Sequence, residues 1–340
     1  MAIEFHKFIP EETHSTFRES LRLMEYNFTD PSATSAQFLK WLYLDNPYHQ
    51  AIGYIGYDGD KPASQLFIVF QSAMLKGKEF IVGLASNACT MPEYRNRGLF
   101  HKIFQMLIED CRVMGVPFIW AYPNPASLRG FLKTGFEIRQ GLSLEVMPTN
   151  YFGLVQEIKN KEKFQIMAAT EDLPIAMENS DEFEPVVNLR NASVPSTSSA
   201  SEVWHSPMDL RQVEWRYWHH PTRNYHILRH KKSGEWIVLR FIRLFGMKAA
   251  VLMKTSCTDK KQFRGILADL KIYLRPKINF TTTLQSDFLS QPIADIFQGR
   301  FRIPYFLSPR RFPLAVYTID KNLLNEASRF SFALGDYEAL

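Results

Sequence analysis

Cysteine is scarce in this chain. Only Cys89, Cys111 and Cys257 occur among 340 residues, with no paired spacing. That excludes a disulfide-stapled domain and a cysteine-based metal site, and it fits a reducing cytoplasm. No stretch of about 18 apolar residues is present, so no span is expected to cross a membrane. The opening Met1-Ala2-Ile3-Glu4-Phe5-His6-Lys7 lacks the apolar segment of a signal peptide. Lys and Arg form no dense run, so no nucleic-acid partner is expected. The net charge of +5 is mild and suits an anionic small ligand.

What is present reads as globular protein. Hydrophobic residues make up 46% and charged residues 22% of the chain, which a disordered chain would not show. A chain of 340 residues exceeds what one core normally supports, so two domains are expected, 1–150 and 151–340. In the first, Phe17, Leu21, Met24 and Phe28 recur at helical spacing over 11–28. A short helix around Phe38–Leu42 follows, then strands at 51–57, 65–74 and 79–90 joined by Asp58-Gly59-Asp60-Lys61 and Lys76-Gly77-Lys78. A helix over 98–113, a strand at 117–122, a helix at 125–133 and a strand at 136–147 complete it. This order predicts a mixed α/β sheet with helices on both faces.

The pattern then starts again. Trp215-Arg216-Tyr217-Trp218-His219-His220-Pro221 echoes Trp41-Leu42-Tyr43-Leu44-Asp45-Asn46-Pro47, with Trp, Tyr and Pro at the same offsets 174 residues apart. A strand-like run at 164–169, a Ser/Thr-rich loop at 194–200, a strand at 249–255, a helix at 259–274, a strand at 278–284, a short helix at 288–297 and a closing strand at 312–319 follow. One repeat at half the chain length indicates a duplicated domain.

The segment Arg95-Asn96-Arg97-Gly98-Leu99-Phe100-His101 sits where a strand ends at Thr90, Pro92 breaks it and a helix opens. The first turn of a helix carries unpaired N–H groups and partial positive charge, and a pyrophosphate satisfies both. Gly98 lets the backbone approach a phosphate with no Cβ between them. A solvated basic turn is the plainer reading of these residues taken alone. A second segment, Pro123-Asn124-Pro125 through Phe131 to Gly135-Phe136, follows the apolar strand Phe118–Tyr122.

Together the two segments resemble the two signatures of the GCN5-related N-acetyltransferases over roughly residues 1–150. The tandem layout is similar to acetyltransferases of bacterial polysaccharide loci. The resemblance implies two tandem acyl-CoA N-acyltransferase-like domains, with acetyl-CoA as co-substrate and no metal. It implies that the fourth and fifth strands splay, with pantetheine between them. The backbone of Ala88 to Thr90 then faces the pantetheine, and Arg95, Asn96, Arg97, Gly98, Leu99, Phe100 and His101 hold the pyrophosphate. Asn124 touches the pantetheine arm or caps the next helix, and Phe131 lies on the coenzyme side.

The chain departs from the family pattern in places. Phe100 stands where Gly or Ala is usual, so its ring must turn into the core. Phe131 stands where many members carry the Tyr that protonates the leaving thiolate. Tyr122 is the candidate substitute, against a core aromatic. No carboxylate lies between Ile81 and Met91, and Glu79 sits at the strand's start. Asn87, with Ser86, could orient a water. Cys89 is open to two readings, a nucleophile or a small core residue.

The second half has no Arg-x-x-Gly. Asp259 is expected to cap its helix, placing a carboxylate where a pyrophosphate would bind. That half is therefore expected to be degenerate and to complete the acceptor cleft. Trp204, His205, Trp215, Tyr217, Trp218, His219 and His220 serve either sugar stacking or helix–sheet packing. The expected function is acetyl transfer from coenzyme A to an amine of a small metabolite, possibly an amino sugar. The alternatives are a non-catalytic acyl-CoA-binding or regulatory protein, and an aminoacyl transferase using charged tRNA, which would not need the phosphate loop. Oligomeric state and acceptor are left open.

Overall fold

The computed structural model describes residues 3–28, 30–150, 172–189, 202–244, 247–285, 301–303, 312–325 and 328–332. The expected strand at 164–169, loop at 194–200 and helix at 288–297 lie outside them. The first half runs β1 (Glu4–Lys7), α1 (Ser15–Asn27), α2 (Ala36–Tyr43), β2 (Ile52–Asp58), β3 (Lys61–Leu75), β4 (Lys78–Thr90), α3 (Leu99–Val113), β5 (Phe118–Ala121), α4 (Pro125–Lys133) and β6 (Glu137–Pro148). Then come β7 (Phe183–Pro185), β8 (Val203–His205), α5 (Leu210–Val213), a widened π turn over Glu214–Trp218, β9 (Tyr225–His230), β10 (Trp236–Leu244) and β11 (Met247–Thr255). The chain continues through α6 (Lys260–Leu274), β12 (Phe280–Gln285), β13 (Phe301–Ile303), β14 (Phe312–Thr318) and β15 (Arg329–Ser331).

Local chemistry accounts for the element ends. Ser35 caps α2 by accepting from the Phe38 N–H at 3.1 Å, and Asn124 caps α4 by accepting from Ser127 N–H at 2.8 Å with Pro125 in the first turn. The β3–β4 turn uses Lys76 and Gly77, both with positive φ, as a tight two-residue hairpin requires. On α3 the stripe Leu99, Ile103, Phe104, Leu107, Ile108 and Cys111 is buried. It packs with Ile68, Phe70, Ile119, Phe131 and Phe136 on one face of the sheet. Helices α1 and α2 cover the other face, where Phe17, Met24, Phe38 and Tyr43 meet Phe67 and Val69.

The strand order is β1-β2-β3-β4-β5-β14-β6-β12-β11-β10-β9-β7. Two of these neighbours come from the opposite half of the chain. β14 lies antiparallel between β5 (Ala315↔Ala121) and β6 (Leu314↔Gln140). In return, the far part of β6 pairs antiparallel with β12 (Thr282↔Val146). β5 is parallel to β4, and β12 is parallel to β11. Each half thus repeats an antiparallel meander, a helix and a parallel strand, and each accepts its next strand from the other. The mixed α/β architecture matches the expectation. The exchange crosses residue 150, where the sequence gives no sign of it.

Candidate coenzyme site

β4 and β5 pair at only two positions, Gly83↔Ile119 and Leu84↔Trp120. β5 ends at Ala121, whereas β4 runs on to Thr90. Beyond Leu84 and Trp120 the strands share no ladder pair, which leaves 85–90 of β4 along a gap in the ladder, the slot. Within that stretch Asn87 has φ of 50°, at a register break opposite Gln65–Phe67. Such a bulge bends the strand and re-aims its groups. The Asn87 amide donates to Tyr43 Oη at 2.6 Å, and its carbonyl accepts from Gln65 at 3.4 Å.

α3 begins at Leu99, a short turn after the end of β4 at Thr90. Gly98 caps the helix in the left-handed region, φ 74°, with no side-chain capping bond. A Cβ built there would meet no atom within 4 Å. The first bond into the helix is Lys102 N–H to Gly98 carbonyl at 3.1 Å. Among the described residues, the N–H groups of Leu99, Phe100 and His101 have no protein acceptor. Arg95, Asn96, Arg97, Gly98 and His101 are exposed. The loop is pinned from below by buried Tyr94, whose hydroxyl donates to Asp58 at 3.0 Å. Arg95 donates to the Thr90 carbonyl at 3.1 Å, so its guanidinium lies across the end of β4. Arg97 folds back over the Tyr94 ring at 5.0 Å and donates to the Glu93 carbonyl. An uncapped helix start, flanked by two arginines and a short turn from the slot, fits a pyrophosphate.

Other expected residues fall differently. The Phe100 ring turns inward against Phe131, 4.9 Å between centroids, so the departure at that position costs no donor. Phe131 is buried between Phe100 and Phe136 and brings no polar atom to the slot. Asn124 is a helix cap. Tyr122 is buried in a cluster with Trp120, Trp204 and Tyr217, as a core aromatic would be. Cys89 is buried against Leu23 and Tyr57, and burial pushes its thiol well above the usual range, so it does not act as a thiolate. Glu79 lies on the far side of the apex, held by Ser72 and Arg211 at 2.6 and 2.7 Å. A carboxylate that the sequence did not flag, Glu19 of α1, accepts from the Tyr57 hydroxyl. Burial and that carboxylate raise the Tyr57 phenol. Spacing within α1 gave no signal for it, because the pairing spans 38 residues.

In the second half, Asp259 does cap α6, accepting from Gln262 N–H at 2.7 Å. Its carboxylate occupies the position that Gly98 leaves open on α3. The aromatic cluster packs rather than presenting a sugar platform. Trp204, Trp215, Tyr217 and His220 are buried, and only Trp218, 40% exposed, has an open face among the indoles of this cluster. No described helix is long and apolar enough to cross a membrane.

A parallel pair with a gap in its ladder, a short turn before an uncapped helix start, defines the class of acyl-coenzyme-A N-acyltransferase folds. Residues 9–139 match the family model described as the acetyltransferase (GNAT) domain. The match covers 9–139 of the 340 residues, so it is this segment that is similar to the acetyltransferase (GNAT) domain. The fold is similar to that of a probable N-acyltransferase from Enterococcus faecalis, with a TM-score of 0.64 at 10% identity over 95% of this chain and 74% of that one. It is also similar to a GCN5-related N-acetyltransferase from Anabaena variabilis, TM-score 0.61 at 14% identity, over 95% and 74%. A third likeness is to Eis1 from Mycobacterium abscessus, TM-score 0.55 at 9% identity, over 94% and 74%. No curated protein matches the sequence at a significant level.

Proposed function

We propose that the chain moves an acetyl group from acetyl-CoA to an amine of a small metabolite, an amino sugar being one candidate. In this reading residues 1–150 hold the coenzyme, and 151–340 complete the acceptor side while lending β14 to the coenzyme half. The observation that carries the reading is the open start of α3, a short turn after the β4 stretch that borders the slot. The backbone N–H groups of Leu99, Phe100 and His101 would take the pyrophosphate, with Arg95 and Arg97 adding charge. The slot wall formed by Ala88 to Thr90 would run alongside the pantetheine. The Asp259 carboxylate on α6 supports a single coenzyme site per chain.

The amine nitrogen attacks the thioester carbonyl carbon, the carbon–sulfur bond breaks, and the thiolate leaves with the proton that the nitrogen gives up. Holding the two reactants together supplies much of the rate, so a dedicated acid is not required. Asn87, fixed at the bulge and bonded to Tyr43, is placed to orient a water at the slot. Three unpaired, buried cysteines are compatible with a cytoplasmic setting.

One observation favours a second reading, a non-catalytic acyl-CoA-binding or regulatory protein: Phe131 has no proton to give, and Tyr122, the candidate substitute acid, is buried in a core. Two measurements separate the readings. Desulfo-CoA at about 100 times its dissociation constant should stabilise the chain by about 2.7 kcal/mol in a thermal-shift titration. Gly98→Glu should remove that shift while the protein stays folded, and a shift that persists would rule out this site. Release of free thiol from acetyl-CoA with a panel of amino sugars and other amines then reports turnover. Binding without release on any amine would support the second reading.

A further inference from the structure

We propose that Glu182, His230 and Asp269 form a binding site for a divalent first-row cation, Zn2+ being the best match, on the second half of the chain. The site stands apart from the coenzyme reading and does not depend on it. One donor atom from each residue, an imidazole nitrogen and two carboxylate oxygens, fall within 4.8 Å of one another. Three separate elements supply them. Glu182 immediately precedes β7, His230 ends β9, and Asp269 lies within α6. β9 and β7 close the strand order at the end away from β1 to β5.

The donors are close to the spacing a metal needs. His230 is 4% exposed, and its Nε2 stands 3.1 Å from Asp269 Oδ2. Two ligands about 2.1 Å from one zinc ion are about 3.4 Å apart in a tetrahedron. Glu182, within 4.8 Å of both partners, therefore has at most about 1.4 Å to close, within reach of its side-chain torsions. The other ring nitrogen of His230, Nδ1, lies 2.7 Å from Ser233 Oγ. A hydroxyl can donate or accept, so this bond survives when Nε2 exchanges a proton for a metal. It also fixes the ring plane, as the partners of ligating histidines do. The backbone frame is pinned as well. Phe183 pairs with His230 across β7 and β9, and Lys231 N–H donates to the Glu182 carbonyl at 2.8 Å.

A positive charge already stands at this place. Lys232 Nζ lies 2.8 Å from the buried Glu182 Oε2 and 4.0 Å from Asp269 Oδ2. The lysine side chain is 65% exposed, so it can swing into water and leave both carboxylates facing the imidazole. Glu182 and Asp269 are partly exposed, which lets water supply a fourth ligand. Nitrogen with oxygen donors suits zinc and its first-row neighbours, whereas magnesium and calcium take oxygen alone. The role that follows is structural. β7 is a three-residue strand at the edge of the sheet, and a metal would fasten it to β9 and α6.

The test is isothermal titration of the full chain, stripped with a chelator, with zinc chloride and separately with magnesium chloride. The wild type should take up one zinc ion per chain and melt at a higher temperature with it, and magnesium should show no comparable uptake. Asp269→Asn and Glu182→Gln each replace one ligand oxygen and keep the side-chain shape. Losing only the partner that orients a ligand costs about 10–100-fold in metal affinity, so each of these variants, and His230→Ala, should bind zinc at least about tenfold more weakly. Lys232→Ala should bind zinc at least as tightly as the wild type, because the ammonium it removes competes for the same oxygens. Circular dichroism identifies which variants are folded, and the two carboxamide variants serve if His230→Ala does not fold. No zinc uptake by the wild type would overturn the proposal. So would wild-type zinc affinity in the folded carboxamide variants, which would put the ion on other histidines or cysteines. Weaker binding by Lys232→Ala, or equal uptake of magnesium, would overturn it too.

Discussion

Trp41 and Trp215 bond to each other twice. The Trp41 indole donates to the Trp215 carbonyl at 2.9 Å, the Trp215 indole donates to the Trp41 carbonyl at 3.1 Å, and the rings stack at 5.0 Å. These are the equivalent residues of the two repeats, so residue i contacts j as j contacts i. That is the signature of a contact on a two-fold axis, here within one chain. Arg216 lies over both rings, at 5.8 and 5.4 Å, and His220 packs on Trp41 at 4.4 Å.

Removing either indole should loosen the join between halves. Trp215→Ala is expected to cost about 3–5 kcal/mol, the usual range for a buried Trp. Trp41→Phe and Trp215→Phe should each cost less, with about 1 kcal/mol from the lost hydrogen bond. A double-mutant cycle by chemical denaturation should show coupling of at least 0.5 kcal/mol, as for residues in contact. Additive losses would mean that the reciprocal bonds do not act as a unit.

Cys89 is expected to be dispensable for chemistry. Burial holds its thiol protonated, so no acyl-cysteine intermediate forms there. Cys89→Ala should keep acetyl transfer within about threefold of wild type once an acceptor is found, because the change removes only a small core side chain. Mass spectrometry after incubation with acetyl-CoA should show no acetyl group on this residue. A stable acetyl-Cys89 adduct would reverse the assignment.

His226 gives stability a pH dependence of definite sign. Its imidazole packs on Phe241 at 5.0 Å, and burial holds its pKa below the ordinary value of 6.5, with Asp172 opposing that shift only in part. The unfolded chain therefore binds this proton more readily than the folded one, so stability from this group is complete above about pH 6.5 and falls as pH drops below it. Melting temperatures of wild type and His226→Phe, compared at pH 7.5 and 5, should show a smaller acid loss in the variant. An equal loss in both would assign the acid sensitivity elsewhere.

The strand exchange makes the halves interdependent. A fragment ending at residue 150 leaves the edge of β5 without β14, and the half of β6 that pairs with β12 has no partner. The fragments 1–150 and 151–340 should each be unfolded or aggregated alone and should regain cooperative melting and desulfo-CoA binding when co-expressed. A soluble, coenzyme-binding 1–150 fragment would contradict this.

Much of this arrangement was legible in the sequence because its signals are local. The stripe on α3, the cap at Asn124 and the open Gly98 each need only a few consecutive residues to be read. The 174-residue echo is also read from a few residues, and in the structure its two tryptophans, Trp41 and Trp215, lie in contact. Strands β1, β7, β8 and β15 were missed because three or four residues cannot display an alternation. The placement of β14 was not legible for a different reason. Nothing within Phe312–Thr318 distinguishes a strand that closes its own half from one that closes the other. The same holds for the pairs Glu19–Tyr57 and Asn87–Tyr43, each formed from distant segments that no spacing announces.

The position of β14 also dictates when the coenzyme half can be finished during synthesis. β5 leaves the ribosome long before the strand that must lie against it, because all of 122–311 has to be made in between. At roughly 5–20 residues per second, that gap is on the order of 10–40 s. Throughout it the nascent chain presents a bare sheet edge on β5, so the sheet begun by residues 1–150 waits on a strand made about 190 residues later.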